Sequence, residues 1–252
     1  MVPRLNRPRL LLLCGGESAE HEVSLASARS VLEAAADRLE VTALVIDRSG
    51  RLLDTQSSLL ALETGQAPAG SGSAGLTAGV SDREPHDVVF PLLHGPNGED
   101  GSVQGLLRLT GLPFVGSDIA GSAAAMDKLM MKAVLAAAGV PQVAWQPVLL
   151  GEWLTDRAAV LDRLSDWTWP LFVKTANLGS SVGISRVTDR TSLEAGLEVA
   201  FSHDRRVIVE EGVNAPRELE VAVLGNDRPE ASPVGEIRFD SAFYDYETKY
   251  SE

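Results

Sequence analysis

The stretch Gly15-Gly16-Glu17-Ser18-Ala19-Glu20-His21-Glu22-Val23-Ser24 sets two glycines and three carboxylates between an apolar run and a helical pattern. A helix N-terminus attracts anions. A phosphate placed there would meet Glu17, Glu20 and Glu22, so the string favours a cationic ligand group. The residues alone leave open a second reading, in which the acids only complement the helix dipole. Further on, Leu92-Leu93-His94-Gly95-Pro96-Asn97-Gly98-Glu99-Asp100-Gly101 delivers an imidazole at the end of a strand-like run. Near neutrality His94 could orient a carboxylate or relay a proton, and a purely structural histidine fits the same residues.

A third constellation, from Leu171 to Gly183, ends a strand in Lys174 and passes through Asn177-Leu178-Gly179-Ser180-Ser181 into another strand. It is not a Walker A loop, because the lysine precedes the glycines and no helix follows. A Gly-Ser turn between antiparallel strands can still fold over phosphates with its amides and hydroxyls, while Lys174 supplies a point charge. Lys128, near a helix start, could reach phosphates from another side; taken singly, either lysine is an ordinary solvated charge. Val207-Ile208-Val209-Glu210-Glu211-Gly212-Val213 runs a hydrophobic strand into acids and glycine, offering backbone groups and a carboxylate to an adenine edge. Strand alternation puts Glu218 and Glu220 on one face, where one of them could hold ribose hydroxyls.

The elements that position these groups follow from periodicity. Leu10–Cys14 and Val41–Ile46 read as strands flanking a helix over Ser24–Ala36, and Val88–Phe90 resumes the sheet. Such β-loop-α-β units favour parallel sheets that bind ligands at the carboxyl ends of the strands. Gly65–Gly79, rich in Gly, Ala and Ser, reads as a flexible surface loop. Ser102–Thr110 is predicted helical, Phe114–Val115 a short strand, and Asp127–Ala138 a helix with Met130, Met131, Val134 and Leu135 on one face. Strands are then expected at Ala144–Leu149, Leu171–Thr175, Gly183–Val187, Val207–Glu210 and Leu219–Leu224, with helices near Asp156–Leu164 and Ser192–Ser202. This second region is α+β with more antiparallel character.

The 252-residue chain is 44% hydrophobic and 23% charged, an ordinary globular balance. A net charge of −13 argues against nucleic acid as a partner, since that binding draws on clustered Lys and Arg. No apolar run approaches the roughly 20 residues that cross a bilayer. One cysteine, Cys14, leaves no internal disulfide and fits a reducing compartment, so the cytoplasm is the expected location.

Together the Gly-Ser-x-Glu-His-Glu-Val-Ser turn, the His94-Gly95 loop, Met126-Asp127-Lys128, the Lys174–Gly183 segment and Phe243-Tyr244-Asp245-Tyr246-Glu247-Thr248-Lys249-Tyr250 resemble the D-alanine:D-alanine ligase family of ATP-grasp enzymes. The resemblance implies a mixed α/β and α+β fold. Its parts would be an N-terminal parallel α/β substrate domain over 1–116, a central ATP-grasp subdomain over 117–211, and the start of a C-terminal subdomain with a lid over 212–252. It further implies that ATP phosphorylates one D-alanine and that the amine of a second attacks the acyl phosphate, giving the dipeptide used for peptidoglycan. Carried over by motif, Glu20 binds the first substrate's ammonium and forms a triad with Ser180 and Tyr250, while His94 lies near that substrate's carboxylate. Lys128, Lys174 and Ser181 face the ATP phosphates, Glu210, Glu211 and Val213 hold adenine, Glu218 holds ribose, and Lys249 belongs to the lid. Magnesium or manganese would be held by residues beyond Glu252, so the chain is expected to be incomplete and inactive at this length. A homodimer follows from the family. The competing readings are a ligase that takes D-lactate or D-serine second, with Tyr250 favouring D-alanine, and a non-catalytic nucleotide-binding module.

Overall fold

A computed structural model describes residues 7–66, 86–179 and 183–238, together with the backbone of 72–74. It divides into two compact units, 1–138 and 139–252.

In the first unit, β1 (Arg9–Gly15) lies between β2 (Glu40–Ile46) and β5 (Val88–Pro91), parallel to both. The sheet order is β4-β3-β2-β1-β5, with β3 (Leu52–Leu53) and β4 (Gly72–Ala74) added antiparallel. The apolar run of β1 is buried on both faces, as a central parallel strand requires. Leu11 and Leu13 pack with Val103 and Leu107 of α3 (Ser102–Leu109), while Leu12 and Cys14 pack with Leu25 and Ala28 of α1 (His21–Ala35) and with Ala61 and Leu62 of α2 (Thr55–Thr64). Strand order reverses at β1, and the carboxyl ends of β1 and β5 therefore flank a crevice.

Burial also fixes the chemistry of Cys14, whose Sγ lies 3.7 Å from the Leu44 carbonyl and whose thiol is pushed up to about 12. A thiol reagent at about pH 8 is expected to spare Cys14 in the folded protein and to label it after denaturation. Prompt labelling without denaturant would contradict this packing.

Several sequence expectations change. Helix α1 begins at His21, three residues earlier than its apolar periodicity suggests, because its first turn carries polar side chains that the periodicity does not register. Within Gly65–Gly79, Gly72–Ala74 forms β4 instead of loop; the free edge of β3 offers backbone groups that a ladder satisfies whatever the side chains are. Phe114 makes only an isolated bridge to Val89. Two helices absent from the sequence reading appear, α4 (Ile119–Met126) and α6 (Leu150–Thr155), as does α2. On α5 (Lys128–Ala137), Met130 and Val134 are exposed and Lys132 is buried, since periodicity defines a face without deciding what packs against it.

The second unit is built on an antiparallel sheet ordered β6-β9-β7-β8, comprising Trp145–Leu149, Arg206–Glu211, Leu171–Thr175 and Ser185–Val187. Leu171, Val173, Val207 and Val209 pack with Val160, Leu161 and Leu164 of α7 (Arg157–Ser165) and Leu193, Leu197 and Ala200 of α8 (Arg190–Phe201). The strand expected over Leu219–Leu224 divides into β10 (Glu218–Glu220) and β11 (Val223–Leu224). They pair separately with β13 (Gly235–Ile237) and β12 (Glu230–Ala231), since local alternation specifies extension but not partner.

Candidate active site

The turn after β1 is forced by backbone geometry. Gly15 has φ +85°, and a side chain there would run into the Ile46 carbonyl oxygen. The Gly16 amide donates to that same carbonyl at 2.8 Å, and Nδ1 of the buried His21 lies 2.7 Å from the Gly16 carbonyl. Ser24, fully buried on α1, accepts from the Gly15 amide at 2.8 Å and donates to the Leu92 carbonyl at 2.5 Å. The ends of β1 and β5 are thereby tied together, and the loops that follow them are held side by side.

Within this frame the three acids separate into different roles. Glu22 is paired with Arg48, whose hydrogen bonding holds the carboxyl below its ordinary range. Glu17 is exposed and accepts from Asn97 Nδ2 at 3.3 Å. Glu20 is buried at the N-cap of α1, yet its side chain makes no capping hydrogen bond. Its carboxylate instead lies against Gly95, where a built Cβ would come within 2.6 Å of Oε2. Gly95, at φ +70°, is therefore the residue that lets the β5 loop approach this carboxylate. Helix capping does not account for Glu20.

The His94 loop is held from several sides. Ser18 Oγ donates to the His94 carbonyl at 2.8 Å and accepts from the Glu20 amide at 3.2 Å. His94 Nε2 lies 3.2 Å from Ser27 Oγ, and Nδ1 lies 3.7 Å from Glu99 Oε1. The adjacent Glu99 carboxylate raises the imidazole pKa above its ordinary 6.5; partial burial works against this and Glu20 adds to it. The ring is thus biased toward the imidazolium, a cation suited to a carboxylate. A cavity of about 230 Å³ opens beside it, lined by Gly15, Gly16, Glu17, Leu93, His94 and Asn97 among others.

This gives a signed pH dependence. Because the folded-state pKa lies above the unfolded 6.5, protonated His94 contributes stability that is fully present below about pH 6.5 and lost as pH rises through the folded value. Glu99→Gln is expected to lower the His94 titration midpoint in an NMR titration and to flatten stability across that window. An unchanged midpoint would show that Glu99 does not govern the ring.

In the second unit Lys174 Nζ is 2.6 Å from Glu210 Oε2, with side-chain exposures of 25% and 9%. The register sets Lys174 opposite Ile208 and Phe172 opposite Glu210, so the pair is a diagonal neighbour on one face of the sheet. Nζ also lies 5.6 Å from the centroid of the Phe172 ring. At the end of β9 the Glu211 amide donates to Ala144 and the Gly212 amide to Pro170. Glu211 Oε1 accepts from the Thr168 amide at 3.4 Å, Val213 is exposed, and Glu218 lies half-buried in β10. Lys128 opens α5, whose first amides are capped by the buried Asp127.

The structure therefore gathers Glu20 and His94 in the first unit, and Lys174 and Glu210 in the second. Ser180, Ser181, Lys249 and Tyr250 lie outside the described residues. Sequence reasoning did not single out Ser18, Ser27, Asn97 or the role of Glu99. Ser24 and Ser27, three residues apart beside the buried Leu25 and Ala28, were the available signal: polar groups on an apolar helix face. Among the described residues no three His, Cys, Asp or Glu side chains converge into a cation site.

Comparison with known proteins places these features in context. Residues 9–117 match the family model described as D-ala D-ala ligase N-terminus, and residues 134–252 match D-ala D-ala ligase C-terminus. The chain is 55% identical to a D-alanine–D-alanine ligase of Deinococcus radiodurans, over 97% of its own length and 72% of the relative's. It is 47% identical to one from Synechococcus sp. (strain RCC307), over 95% and 71%. Among solved structures it is similar to the D-alanine–D-alanine ligase from Coxiella burnetii, with TM-score 0.78, 37% identity, and 92% and 71% of the two chains covered. It is also similar to the VanG D-Ala:D-Ser ligase from Enterococcus faecalis, with TM-score 0.79, 33% identity, and 98% and 74% covered.

Proposed function

This chain belongs to the D-alanine–D-alanine ligase family, and on that premise we propose how its residues divide the work. The reaction is the ATP-dependent joining of two D-alanine molecules, a step in making peptidoglycan precursors. The observation that carries the residue assignment is the buried Glu20 carboxylate, set against the glycine that follows His94. A buried carboxylate beside a loop amenable to close approach is a receptor for an ammonium group. Glu20 binds the ammonium of the first D-alanine, and the His94 imidazolium attracts its carboxylate. Ser180 and Tyr250 complete the triad with Glu20, and Lys249 serves the lid.

On the nucleotide side, Lys128, Lys174 and Ser181 receive the phosphates, and Glu218 receives the ribose. Two amides before Val213 are engaged, by Ala144 and Pro170, and among the described residues the Glu211 carbonyl and the Val213 amide are the groups assigned to an adenine edge beside Glu210. The first D-alanine's carboxylate oxygen attacks the γ-phosphorus, forming an acyl phosphate and releasing ADP. The deprotonated amine of the second then attacks the acyl carbon, and the tetrahedral intermediate collapses with loss of inorganic phosphate. Exclusion of water protects the acyl phosphate from hydrolysis. Magnesium or manganese would lower the charge on the transferring phosphoryl group; the described residues offer no cluster to hold it, and none of the roles above passes through it. Functionally the chain divides into an amino-acid part over 1–116, a nucleotide part over 117–211 and a lid-bearing part over 212–252, acting as a homodimer in the cytoplasm.

A D-serine-accepting second site remains the specific rival, because the D-Ala:D-Ser ligase overlays as well as the D-Ala–D-Ala enzyme does. Phosphate release and dipeptide formation by the natural gene product, with ATP, magnesium and D-alanine, decide between them. D-serine, D-lactate and L-alanine serve as comparators. D-alanine-dependent dipeptide supports the reading; preferential mixed product with D-serine would replace it, and absence of turnover with any D-substrate would remove it.

A further inference from the structure

We infer that Ser27 is a positioning residue for the reaction, holding the His94 ring through Nε2 so that the ring is presented to the carboxylate of the first D-alanine. This rests on the assignment of His94 to that substrate.

Ser27 sits in the second turn of α1, one turn beyond Ser24 and on the same side of the helix. The two serines do different things. Ser24 bonds only backbone, joining Gly15 to Leu92, and so supports the sheet. Ser27 makes one hydrogen bond among the described residues, at 3.2 Å to His94 Nε2, across 67 positions of sequence. It does not bond back to the carbonyl four residues earlier, as Ser30 does with Ala26 at 3.3 Å. A helical serine that neither caps nor back-bonds adds nothing to its own helix, and alanine would serve the helix better. That bond goes to an imidazole that, among the described residues, is otherwise held at Nδ1, where Glu99 stands 3.7 Å away.

An imidazole fixed at one nitrogen can still swing about that contact, whereas contacts at both nitrogens define its plane. Ser27 supplies the second. Its hydroxyl serves either protonation state of the ring: it donates to an unprotonated Nε2 and accepts from a protonated one. Proton gain and loss at His94 therefore leave the ring where it is. A carboxylate that enters meets the charge of a ring whose two nitrogens keep their contacts, so the attraction needs no exchange of hydrogen bonds.

The test compares Ser27→Ala, Ser27→Thr, His94→Ala and the Ser27→Ala/His94→Ala double variant in the natural gene product, with kcat/KM for D-alanine and thermal unfolding measured for each. Ser27→Ala is expected to lower kcat/KM about tenfold without lowering the melting temperature, the scale of losing one hydrogen bond to a charged ring. Thr, which keeps the hydroxyl, restores most of it. In the His94→Ala background the Ser27 change costs nothing further, because its partner is gone. Wild-type activity in Ser27→Ala alongside a large loss in His94→Ala overturns the inference and leaves the His94 assignment standing. Additive losses in the double variant overturn it too, by showing that Ser27 acts through something else. Full activity in His94→Ala removes the assignment of His94 itself, and this inference with it.

Discussion

Replacing Glu20 with Gln is expected to lower kcat/KM for D-alanine about a thousandfold while leaving the protein folded. The amide has the shape of the carboxylate but not its charge, and truncating one partner of a buried charge pair costs about 2–5 kcal/mol. Glu20 is 7% exposed, which puts it toward the upper part of that range because little water is present to replace the lost attraction. Helix α1 loses no capping bond, because the Glu20 side chain makes none there, and a buried neutral amide is less costly than a buried carboxylate. Neighbouring acids give the control. Glu22 is tied to Arg48 at the surface, and Glu22→Gln is expected to change kcat/KM by less than threefold, as exposed ion pairs contribute roughly 1 kcal/mol or less. Steady-state kinetics with varied D-alanine measure both. Comparable losses at Glu20 and Glu22, or a Glu20→Gln enzyme within threefold of wild type, would mean that the buried carboxylate is not the ammonium receptor.

The second large effect is expected from Lys174→Met, in two separable parts. Methionine keeps the length of the stem but removes the ammonium that lies 2.6 Å from Glu210, a carboxylate only 9% exposed. Breaking such a pair destabilises a protein by about 3 kcal/mol, seen as a fall in melting temperature of roughly 8 °C for a chain of this size. ATP affinity is expected to fall as well, by about a hundredfold, if Lys174 is the cation for the phosphates that we propose. Adding Glu210→Gln removes the buried negative charge that Lys174 had balanced, so the double variant should regain most of the stability. It should not regain ATP affinity, which isothermal titration can measure. Recovery of both together would show that Lys174 acts only by keeping Glu210 paired, and the phosphate role would fall.

The Lys174–Glu210 pair sits on one side of a two-sided sheet. Phe172, Lys174, Ile208 and Glu210 share one side of β7 and β9, while Leu171, Val173, Val207 and Val209 face the helices. Period-two alternation thus separates a core face from a face that carries the charged pair. A one-residue register slip would drive Lys174 and Glu210 toward the core, so the same hydrophobic pattern that folds this sheet also places this charged pair.

Much of the architecture was legible from local pattern. The run Leu10–Cys14 announced a strand opening a β-loop-α-β unit, Gly15-Gly16 announced the turn at its end, and Lys174 before a Gly-Ser stretch separated this site from a Walker A loop. These signals are legible because strand burial, positive φ and chain direction are properties of a few adjacent residues. What could not be read is equally specific. Gly72–Ala74 has no strand-like composition and becomes a strand only because β3 offers it an edge. The apolar stripe of α5 suggested a packed face, yet Met130 and Val134 are exposed.

For the site, the sequence by itself determined the inventory: three acids at the head of a helix, a histidine before a glycine, two lysines and an acid-rich strand end. It also left capping and cation binding as equal explanations of those acids. Only the tertiary structure divided them, sending Glu22 to Arg48 across 26 positions, Glu17 toward Asn97 across 80, and Glu20 into a buried place against Gly95. It likewise made Ser27, which the sequence shows only as a polar group on an apolar helix face, the partner of His94. The physical reason is that side-chain identity and periodicity are local, whereas the partner of a charge or hydroxyl is set by which strand ends the sheet brings together, and that depends on burying β1 between two helical layers.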